Sequence, residues 1–533
     1  MRSVRGLALV LLGVLSLVAG APEARADLLA RVVAVVDDPT TSSGGGGGGP
    51  ATAPTAPTSV DDLTTWAGPA RATTLPDLLL QAVRHAPSLL GAQFDMAIAE
   101  AQIEQTYARD DWHLRAQIFA QSSSTFISGF AIDRSTVIGA GADVSRLLPT
   151  GGTITLHLGS QYSRTTSPIN PADINRNWAD ELSVSMVQPL LRGRGRWLYE
   201  ANERRATLSR DSAVLARRLA AIQAVQSVVS AYWDLVLAER QLAITRASLA
   251  LANERLRITT LGNVGGRIPR SEIPAVQQII ATREEDILTA ELGVLDRSIA
   301  LRRVAGLPIG AGELGLRVTT DLATRDVTWD LGQLTDRAFA ASPELAQLAK
   351  ADDVTKLDIA VTENGLLPQL DAALTVGPTG QDEKFATAWA NLAKFKSIAI
   401  SGSLTYEHSL GQEDVRGRAR ELRVNREKLL VNAFDVRAGL AQTMARAVAQ
   451  LELARRRVNL SVRAIVLANE NIKLETDRFN LGKSTNFDIL GRQEELRQAE
   501  LRKSQAMIDW HKAESVVQSL TGDILPAYGI ALE

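Results

Sequence analysis

Apolar residues recur at every seventh position through a long stretch in the first half of the chain. The members of this repeat are Leu208, Leu215, Ile222, Val229, Val236, Ala243 and Ala250. A seven-residue repeat keeps one stripe of a helix facing a partner helix, which is typical of coiled coils. No glycine or proline lies between Gly195 and Gly262, so nothing in the local sequence interrupts the helix. The pattern predicts one helix on the order of 90–100 Å long.

Residues that break helices cluster directly after this stretch. They are Gly262, Gly265, Gly266, Pro269 and Pro274. A second helical pattern then runs from about Ala275 to Ala305. The order of these segments predicts an antiparallel helical hairpin whose tip lies at about residues 262–274.

The same hairpin occurs again 216 residues later (467 − 251), where Leu467–Glu470 repeats the sequence of Leu251–Glu254. At this offset the tip residues correspond as Gly266 with Gly482, Arg267 with Lys483, Glu272 with Asp488, and Ile273 with Ile489. Any two coiled coils share some pattern, but shared tip residues favour a true duplication. The chain is therefore predicted to consist of two fused copies of one unit.

Other sequence signals set the boundaries of these two copies. A basic start, the apolar run Leu7–Val18 and the small residues of Ala24–Ala26 indicate a secretory signal peptide. Glycine, proline and threonine then dominate a segment that is unable to bury a core. The predicted organisation is a signal peptide 1–26, a flexible segment 27–74, a first repeat 75–330, a second repeat 331–524 and a C-terminal tail 525–533.

Two segments, about 114–187 and about 369–406, differ from the helices because apolar and polar residues alternate. Leu182, Val184 and Met186 alternate with serines, and the turn sequence Pro149–Gly152 predicts a hairpin in the first segment. Alternation over roughly ten residues is typical of membrane β-barrel strands, although a small soluble sheet has the same pattern. Export and the length of the helices favour the barrel. No later segment is expected to form a membrane helix. Phe385, Trp389 and Phe395 are expected in a loop.

Composition narrows the possible functions. The net charge of −2 gives no general attraction to nucleic acid. The chain has no cysteine, and its five histidines form no metal-binding motif. No catalytic motif was found, so the sequence predicts neither an enzyme nor a cofactor or metal site.

Several motifs in this order resemble those of the TolC-like outer membrane efflux proteins. The matching segments are Gln188–Gly193, Ala231–Leu235, Leu367–Leu370 and Arg478–Leu490. Together with the duplication, the resemblance covers nearly the whole chain from about residue 74.

This resemblance implies a mainly α fold with β structure and a homotrimer in the outer membrane of a Gram-negative bacterium. Each protomer would contribute strands to one shared transmembrane β-barrel and its long hairpins to a periplasmic α-barrel. A periplasmic adaptor and an inner-membrane pump would be partners of this passive duct for efflux or type I secretion. The apparent extra hairpin around Pro149–Gly152 departs from the two strands per repeat of the family, and it either widens the barrel or stands outside it.

The resemblance also implies roles for the tips. The residues predicted to contact the adaptor are Gly266, Arg267, Ile268, Gly482, Lys483 and Ser484, although they could also serve only to make the turns. Asp488 and its counterpart Glu272 are candidates for the pore entrance. Relatives with an acidic gate carry a second acid one turn later, where this chain has Gly491. A helix-capping role for Asp488 is the alternative.

A second class of function stays open at this stage: a periplasmic coiled-coil adaptor or scaffold that never enters a membrane. Such adaptors usually carry one hairpin, whereas this chain has two with strands between them. The position of the alternating segments, in lipid or in water, separates the two hypotheses.

Overall fold

The computed structural model describes residues 71–125, 133–166, 174–310, 314–318 and 329–531. The predicted signal peptide 1–26 and most of the segment 27–74 lie outside these residues. The last residues of that segment form strand β1 (Arg71–Thr73), which pairs in parallel with β6 (Leu316–Val318). The predicted flexible segment therefore ends a few residues too late, because three of its residues gain backbone hydrogen-bond partners.

The long helices of the described residues follow the predicted order, whereas Phe385–Ala393 form a helix where a loop was expected. They are α1 Leu75–His85, α2 Pro87–Thr106, α3 Arg196–Tyr199, α4 Ala201–Val264, α5 Glu272–Ala305, α6 Leu331–Ala341, α7 Pro343–Asn364, α8 Phe385–Ala393, α9 Glu413–Asn480, α10 Asn486–Leu520 and α11 Ile524–Ala527. The larger strands are β2 His113–Thr125, β3 Asp133–Leu147, β4 Thr153–Thr166, β5 Ile174–Pro189, β7 Gln369–Asp382 and β8 Ser397–Glu407.

The predicted helical hairpins are present in both repeats. Helix α4 has 64 residues and packs against α5, and α9 has 68 residues and packs against α10. At about 1.5 Å per residue, each long helix extends roughly 100 Å. Helix α10 also packs along α4, so the two hairpins lie side by side.

The hydrogen bonds at the hairpin ends repeat with the sequence offset. At the first tip Gly266 N donates to Asn263 O and Arg267 N donates to Gly262 O, and the second tip has the same two bonds 216 residues later. Gly266 and Gly482 both adopt left-handed conformations, with φ of 71° and 74°. Only glycine enters this region without strain from a Cβ atom, so the predicted equivalence of the two tips has a backbone basis.

Shorter helices line the long ones. Helix α2 packs along α4, and α7 packs along both α4 and α9. Pro87 and Pro343 each stand at the first position of their helix, where the missing N–H is not needed. The residues before them, Ala86 and Ser342, are extended, which separates α1 from α2 and α6 from α7.

Two apolar cores hold the helices together. The first lies around Val228, Tyr232 and Leu235 of α4, and the second around Met444 and Leu451 of α9. One window of α4 is long and apolar enough to cross a membrane, contrary to the sequence expectation. More than half of that window is buried within the fold, because it supplies much of the first core.

The C-terminal residues also differ from the expected tail. Ile524, Leu525 and Ile530 are buried in the first core. Three apolar residues spaced over seven positions are too few to give a helical or strand period, although they are enough to close the end of the core.

All six larger strands form one antiparallel sheet with the order β2-β3-β4-β5-β7-β8. The first repeat contributes four strands and the second contributes two. The predicted turn joins β3 to β4, with Gly151 at a φ of 89° and Leu148 N donating to Gly152 O over 2.7 Å. The extra hairpin is thus part of the same sheet.

Candidate functional site: the two-faced sheet and the helix tips

The two faces of the sheet differ in chemistry. Strand register places Ile154 opposite Met186 and Leu156 opposite Val184, all on one face. The residues between them, including Thr155 and its partner Ser185, lie on the other face. Because the pleat alternates sides at every residue, the alternation in sequence becomes one apolar and one polar surface.

The apolar face continues across all six strands through the paired register. Its large members include Leu114, Ile118, Ile138, Val144, Leu158, Leu182, Leu374, Val376, Ile398, Ile400, Leu404 and Tyr406. Many of them are strongly exposed, and the side chain of Ile400 retains 71% of its accessible surface. A patch of this extent in water would be an aggregation site.

The polar face is equally continuous. It carries Arg115, Gln117, Asp143, Ser145, Thr155, His157, Gln161, Glu181, Ser183, Thr375, Ser401, Ser403 and Thr405. His157 Nδ1 lies 2.6 Å from Asp143 Oδ1 on the adjacent strand. Such a surface is suited to a water-filled lumen.

Aromatic side chains mark both ends of the apolar face. Trp112 and Tyr406 lie at the end near the helices, and Tyr162 and Trp178 are in ring contact at the other end. Ten residues separate Trp178 from Gln188 on β5. This length is roughly 33 Å along the strand and roughly 25 Å in height if the strand tilts by about 40°, which matches the apolar band of outer-membrane barrels.

The sheet has two open edges. The described residues of β2 pair only with β3, and those of β8 only with β7. Both edge strands are exposed along the described length of their side chains. Unpaired edge N–H and C=O groups cannot be left facing hydrocarbon, because no water is available to them there.

At the first tip the predicted residues have clear positions. Gly266 and Arg267 are exposed, while Ile268 packs its side chain against Gly262. Asn263 Nδ2 donates to the Ile268 carbonyl over 2.9 Å and closes the turn. Ser271, which precedes α5, makes no side-chain capping bond.

At the second tip Gly482 and Lys483 are exposed, and Ser484 Oγ donates to Glu475. Asp488 is not an open carboxylate. Its Oδ2 accepts from Thr485 N over 3.0 Å, and Thr485 Oγ1 in turn accepts from Asp488 N, which makes a capping box at the start of α10. The bonds from the Thr485 backbone and side chain and from Ser484 hold the pKa of Asp488 below its usual value.

Two contacts join one tip to the other. Glu272 Oε2 accepts from Asn486 N over 3.3 Å, and Arg255 Nε donates to Asn486 Oδ1 over 2.7 Å. The Arg255 side chain is buried, with 7% exposure, and lies over the Phe479 ring at 4.2 Å. Burial lowers the pKa of Arg255, while the Glu272 charge acts in the opposite direction.

A second cluster joins the hairpins farther along. Arg283 of α5 and Arg497 of α10 both donate to Glu494. Burial alone would raise the pKa of Glu494, but the hydrogen bonds from Arg497 and Arg283 are stronger and lower it to about 2. This carboxylate is therefore ionised at neutral pH and connects α5 to α10.

Sequence reasoning missed several tip residues. Val264 and Phe487 are exposed apolar side chains at the two tips, with 82% and 73% exposure, and Leu481 is similar. An apolar residue next to a turn glycine was the available signal for Val264 and Leu481. Arg255 and Asn486 had no such signal, because 231 residues separate them in sequence. Within the described ranges, no group of His, Asp and Glu side chains is placed to hold a metal ion.

Comparison with known proteins identifies the family to which this geometry corresponds. Residues 140–307 match the family described as Outer membrane efflux protein. By this match, which covers under a third of the chain, and by its fold, the chain is similar to the TolC-like outer membrane efflux proteins. The resemblance predicted from the motifs is confirmed, and so is the outer-membrane location.

Among solved structures, the outer-membrane channel OprN has a TM-score of 0.63 at 13% identity, covering 84% of this chain and 90% of that chain. The outer membrane protein VceC from Vibrio cholerae has a TM-score of 0.60 at 14% identity, with 84% and 96% covered. The CmeC outer membrane channel of Campylobacter jejuni has a TM-score of 0.61 at 13% identity, with 84% and 85% covered.

A sequence relative is Nodulation protein T of Rhizobium leguminosarum bv. trifolii. It is 18% identical over 331 residues, which cover 61% of this chain and 68% of that protein. The solved structures share the fold of this chain at identities too low to carry over residue roles.

Proposed function

We propose that the protein is the outer-membrane duct of a tripartite efflux or type I secretion system and conducts its substrates passively. The observation that supports this most is a sheet with one apolar and one polar face, continuous with hairpins whose longer helices extend roughly 100 Å. The apolar face would meet lipid, and the polar face and the hairpins would surround water.

Closure of the barrel requires more than one protomer. The sheet of one protomer has two open edges, at β2 and at β8. In lipid, the backbone N–H and C=O groups of both edge strands need a hydrogen-bonding partner strand. The family resemblance implies three protomers, and three sheets of six strands would form a barrel of eighteen strands. Because barrel diameter grows with strand number, the extra hairpin would widen the shared barrel rather than stand outside it.

The tips are the proposed contact for the periplasmic adaptor. Gly266, Arg267, Ile268 and the corresponding Gly482, Lys483 and Ser484 lie where the hairpins end, and the exposed Val264 and Phe487 add apolar surface beside them. The glycines allow the turns, and the arginine and lysine supply charge. For Lys483→Glu we expect weaker adaptor binding and reduced export, with unchanged insertion of the duct.

Asp488 and Glu272 are less suited to an acidic gate than the sequence predicted. Both carboxylates accept backbone N–H groups at the start of α10. Their negative charge can still attract cations to the tip, but their first role is to fix the helix start.

The periplasmic adaptor or scaffold remains the alternative function. It would require the exposed apolar face of six strands to be covered by protein rather than lipid. The continuity of this face across every strand and its height of roughly 25 Å favour the membrane.

Disulfide cross-linking of the two sheet edges tests the proposal. The chain has no native cysteine, so every disulfide must come from the introduced residues. Gln117→Cys on β2 is combined in turn with Ser401→Cys, Ser403→Cys or Thr405→Cys on β8. These strands lie at opposite edges of one sheet, roughly 24 Å apart, so no disulfide can form within a protomer. We expect disulfide-linked oligomers up to trimer in the outer-membrane fraction for at least one pair.

Each single-cysteine variant is the control and should give no ladder. A protein found only as a soluble periplasmic species, with no linkage at any pair, would contradict the duct and favour the scaffold.

A further inference from the structure

Helix α8 connects β7 to β8 and packs on one face of the sheet. The sequence analysis expected a loop between β7 and β8, but Phe385–Ala393 form a helix that packs on β7 and β5. Ala388 is completely buried against the sheet, and Leu392 is nearly so. The expectation was wrong because nine residues are too few to show a helical period, and the helix depends on this packing.

The contacts of α8 show which face of the sheet it covers. A Cβ atom at Gly380 would lie 2.1 Å from Ala388 O, so α8 approaches the sheet on the side to which residue 380 points. Gly380 pairs with Asp180, and the Trp178 ring on the same face contacts the Phe385 ring at a centroid distance of 4.9 Å. This is the apolar face. Helix α8 therefore lies on the outside of the proposed barrel, at the end farther from the long helices.

Beneath α8 lies a carboxylate. Asp180 is on the apolar face, has only 1% exposure and accepts a hydrogen bond from Ser160 on β4. Without α8 this group would face hydrocarbon, where an ionisable side chain is strongly unfavourable. The helix is therefore a fixed part of the outer surface rather than a loop free to leave it.

The outward side of α8 and its final turn combine apolar and basic groups. Phe395 is 60% exposed, and the flanking Lys394 and Lys396 are exposed as well. The turn is closed by Phe395 N donating to Leu392 O and Lys396 N donating to Asn391 O. Phe395 itself is left-handed, with φ of 51°, a conformation unusual for an aromatic residue. The acidic Asp382 and Glu383 stand at the opposite, N-terminal end of α8, and Lys384 is next to them.

An exposed phenylalanine between two lysines, at the end of a helix on a lipid-facing surface, suits a membrane interface. Aromatic rings favour the boundary between acyl chains and headgroups, and lysines beside it attract anionic headgroups. The apolar face of the sheet continues directly into this surface, so in the proposed duct lipid would already cover the surface beside it.

We propose that α8 and its Lys394–Lys396 turn form an interfacial anchor that binds a phosphate-bearing anionic lipid in the leaflet farther from the helices. Phe395 enters the acyl region, and Lys394 and Lys396 pair with the lipid phosphate. This inference rests on the proposed insertion of the sheet into the outer membrane.

Native mass spectrometry of the detergent-solubilised full chain tests the anchor, with phosphatidylglycerol or phosphatidylcholine titrated as the probe. Wild type should retain phosphatidylglycerol in preference to phosphatidylcholine. A lysine near an anionic surface contributes about fivefold to binding, so Lys394→Gln combined with Lys396→Gln should weaken phosphatidylglycerol binding roughly 25-fold. Lys428→Gln with Lys473→Gln, two exposed lysines on α9, is the matched control and should bind as wild type.

Three results would overturn the anchor: equal binding of both lipids by wild type, no loss in the Lys394/Lys396 variant, or full displacement of phosphatidylglycerol by inorganic phosphate. Reconstitution into lipid nanodiscs separates this inference from the proposed function. Wild type that fails to insert refutes the duct, whereas wild type that inserts without anionic-lipid preference refutes only the anchor.

Discussion

The two helix tips carry an acid at equivalent positions, but the two carboxylates act differently. Asp488 caps its own helix through Thr485, whereas Glu272, its counterpart 216 residues earlier, reaches across and accepts from Asn486 N of the other hairpin. The start of α10 thus receives both acids, and the start of α5 has no side-chain cap. One copy of the duplicated tip acid therefore caps its own helix, and the other forms a contact that joins the two repeats.

The strands of the two repeats differ more than the helices. The first repeat contributes four strands to the large sheet, and the second contributes two strands and α8. The hairpins pack side by side mainly through α4 and the 35 residues of α10, roughly 50 Å, which constrains their register. A sheet whose edges are closed by neighbouring protomers can add a pair of strands without disturbing the helices.

Removal of the extra hairpin would leave each repeat with two strands in the large sheet. This change should have the largest effect on the structure. Deletion of residues 133–173 connects β2 to β5 through residues 126–132. We expect a barrel of twelve strands whose diameter is about two thirds of that of wild type, with the helical part unchanged, because diameter scales with strand number. Electron cryo-microscopy of both proteins measures this directly. A barrel of unchanged diameter would show that the hairpin lies outside it.

Loss of the Glu494 carboxylate should have the next largest effect, a loss of stability, because this group joins α5 to α10. The pKa of Glu494 in the fold is about 2, below its ordinary value of 4.5. Its contribution to stability is therefore fully present above pH 4.5 and is lost as the pH falls from 4.5 towards 2. The full shift corresponds to about 3 kcal/mol, which solvent screening of this partly exposed cluster reduces to roughly 1 kcal/mol.

Glu494→Gln should accordingly lower stability at pH 7 and flatten the loss of stability between pH 4.5 and pH 2, as measured by unfolding followed by circular dichroism. Glu495→Gln, which removes an exposed neighbouring pair with Arg492, is the control. An identical acid profile for Glu494→Gln and wild type would refute the role of the cluster.

Helix caps provide a comparison between the tips. Thr485→Ala removes the capping box of α10 and should destabilise that helix start by about 1 kcal/mol. Hydrogen exchange of residues 486–492 would report this as faster exchange. Ser271→Ala is the matched variant at the other tip, and it should have no effect because Ser271 makes no capping bond. Equal effects at both tips would contradict the asymmetry.

The contact between tips should have the smallest effect. Glu272→Ala leaves Asn486 N without its acceptor and should cost about 0.5 kcal/mol, since water can replace the carboxylate. The expected observation is faster exchange of the Asn486 amide, without change at Thr485. If the Asn486 amide exchanges equally slowly in Glu272→Ala and in wild type, the hydrogen bond from Asn486 N to Glu272 does not persist in solution.

The sequence analysis was most successful where the pattern was long and repeated. A glycine-free run and two equal tip sequences predicted both hairpins, and alternation predicted strands on each side of Pro149–Gly152. These signals are local in sequence, so they can be recognised without knowledge of the fold. Helix α8 was missed because its helicity depends on packing against β7 and β5, and the C-terminal core residues were missed because only packing explains them.

At the site, the exposed glycines and charged residues of the tips were predicted from sequence. The contacts made by Arg255, Asn486 and Glu494 were not, because they join segments more than 200 residues apart. The register of the sheet was also beyond the sequence, although each strand showed its own alternation.

The measurement that tests the central claim most directly is cysteine accessibility along β5. Single cysteines at residues 181, 182, 184, 185 and 186 are introduced in turn into the native chain, which has none. Ser183 is left unchanged because it is buried, with 5% exposure. Each variant is labelled in intact outer membranes with a water-soluble maleimide. The account predicts labelling at residues 181 and 185 and protection at residues 182, 184 and 186, because the first group lies on the polar face and the second on the apolar face. Labelling without a period of two would contradict a membrane-spanning sheet with one lipid face.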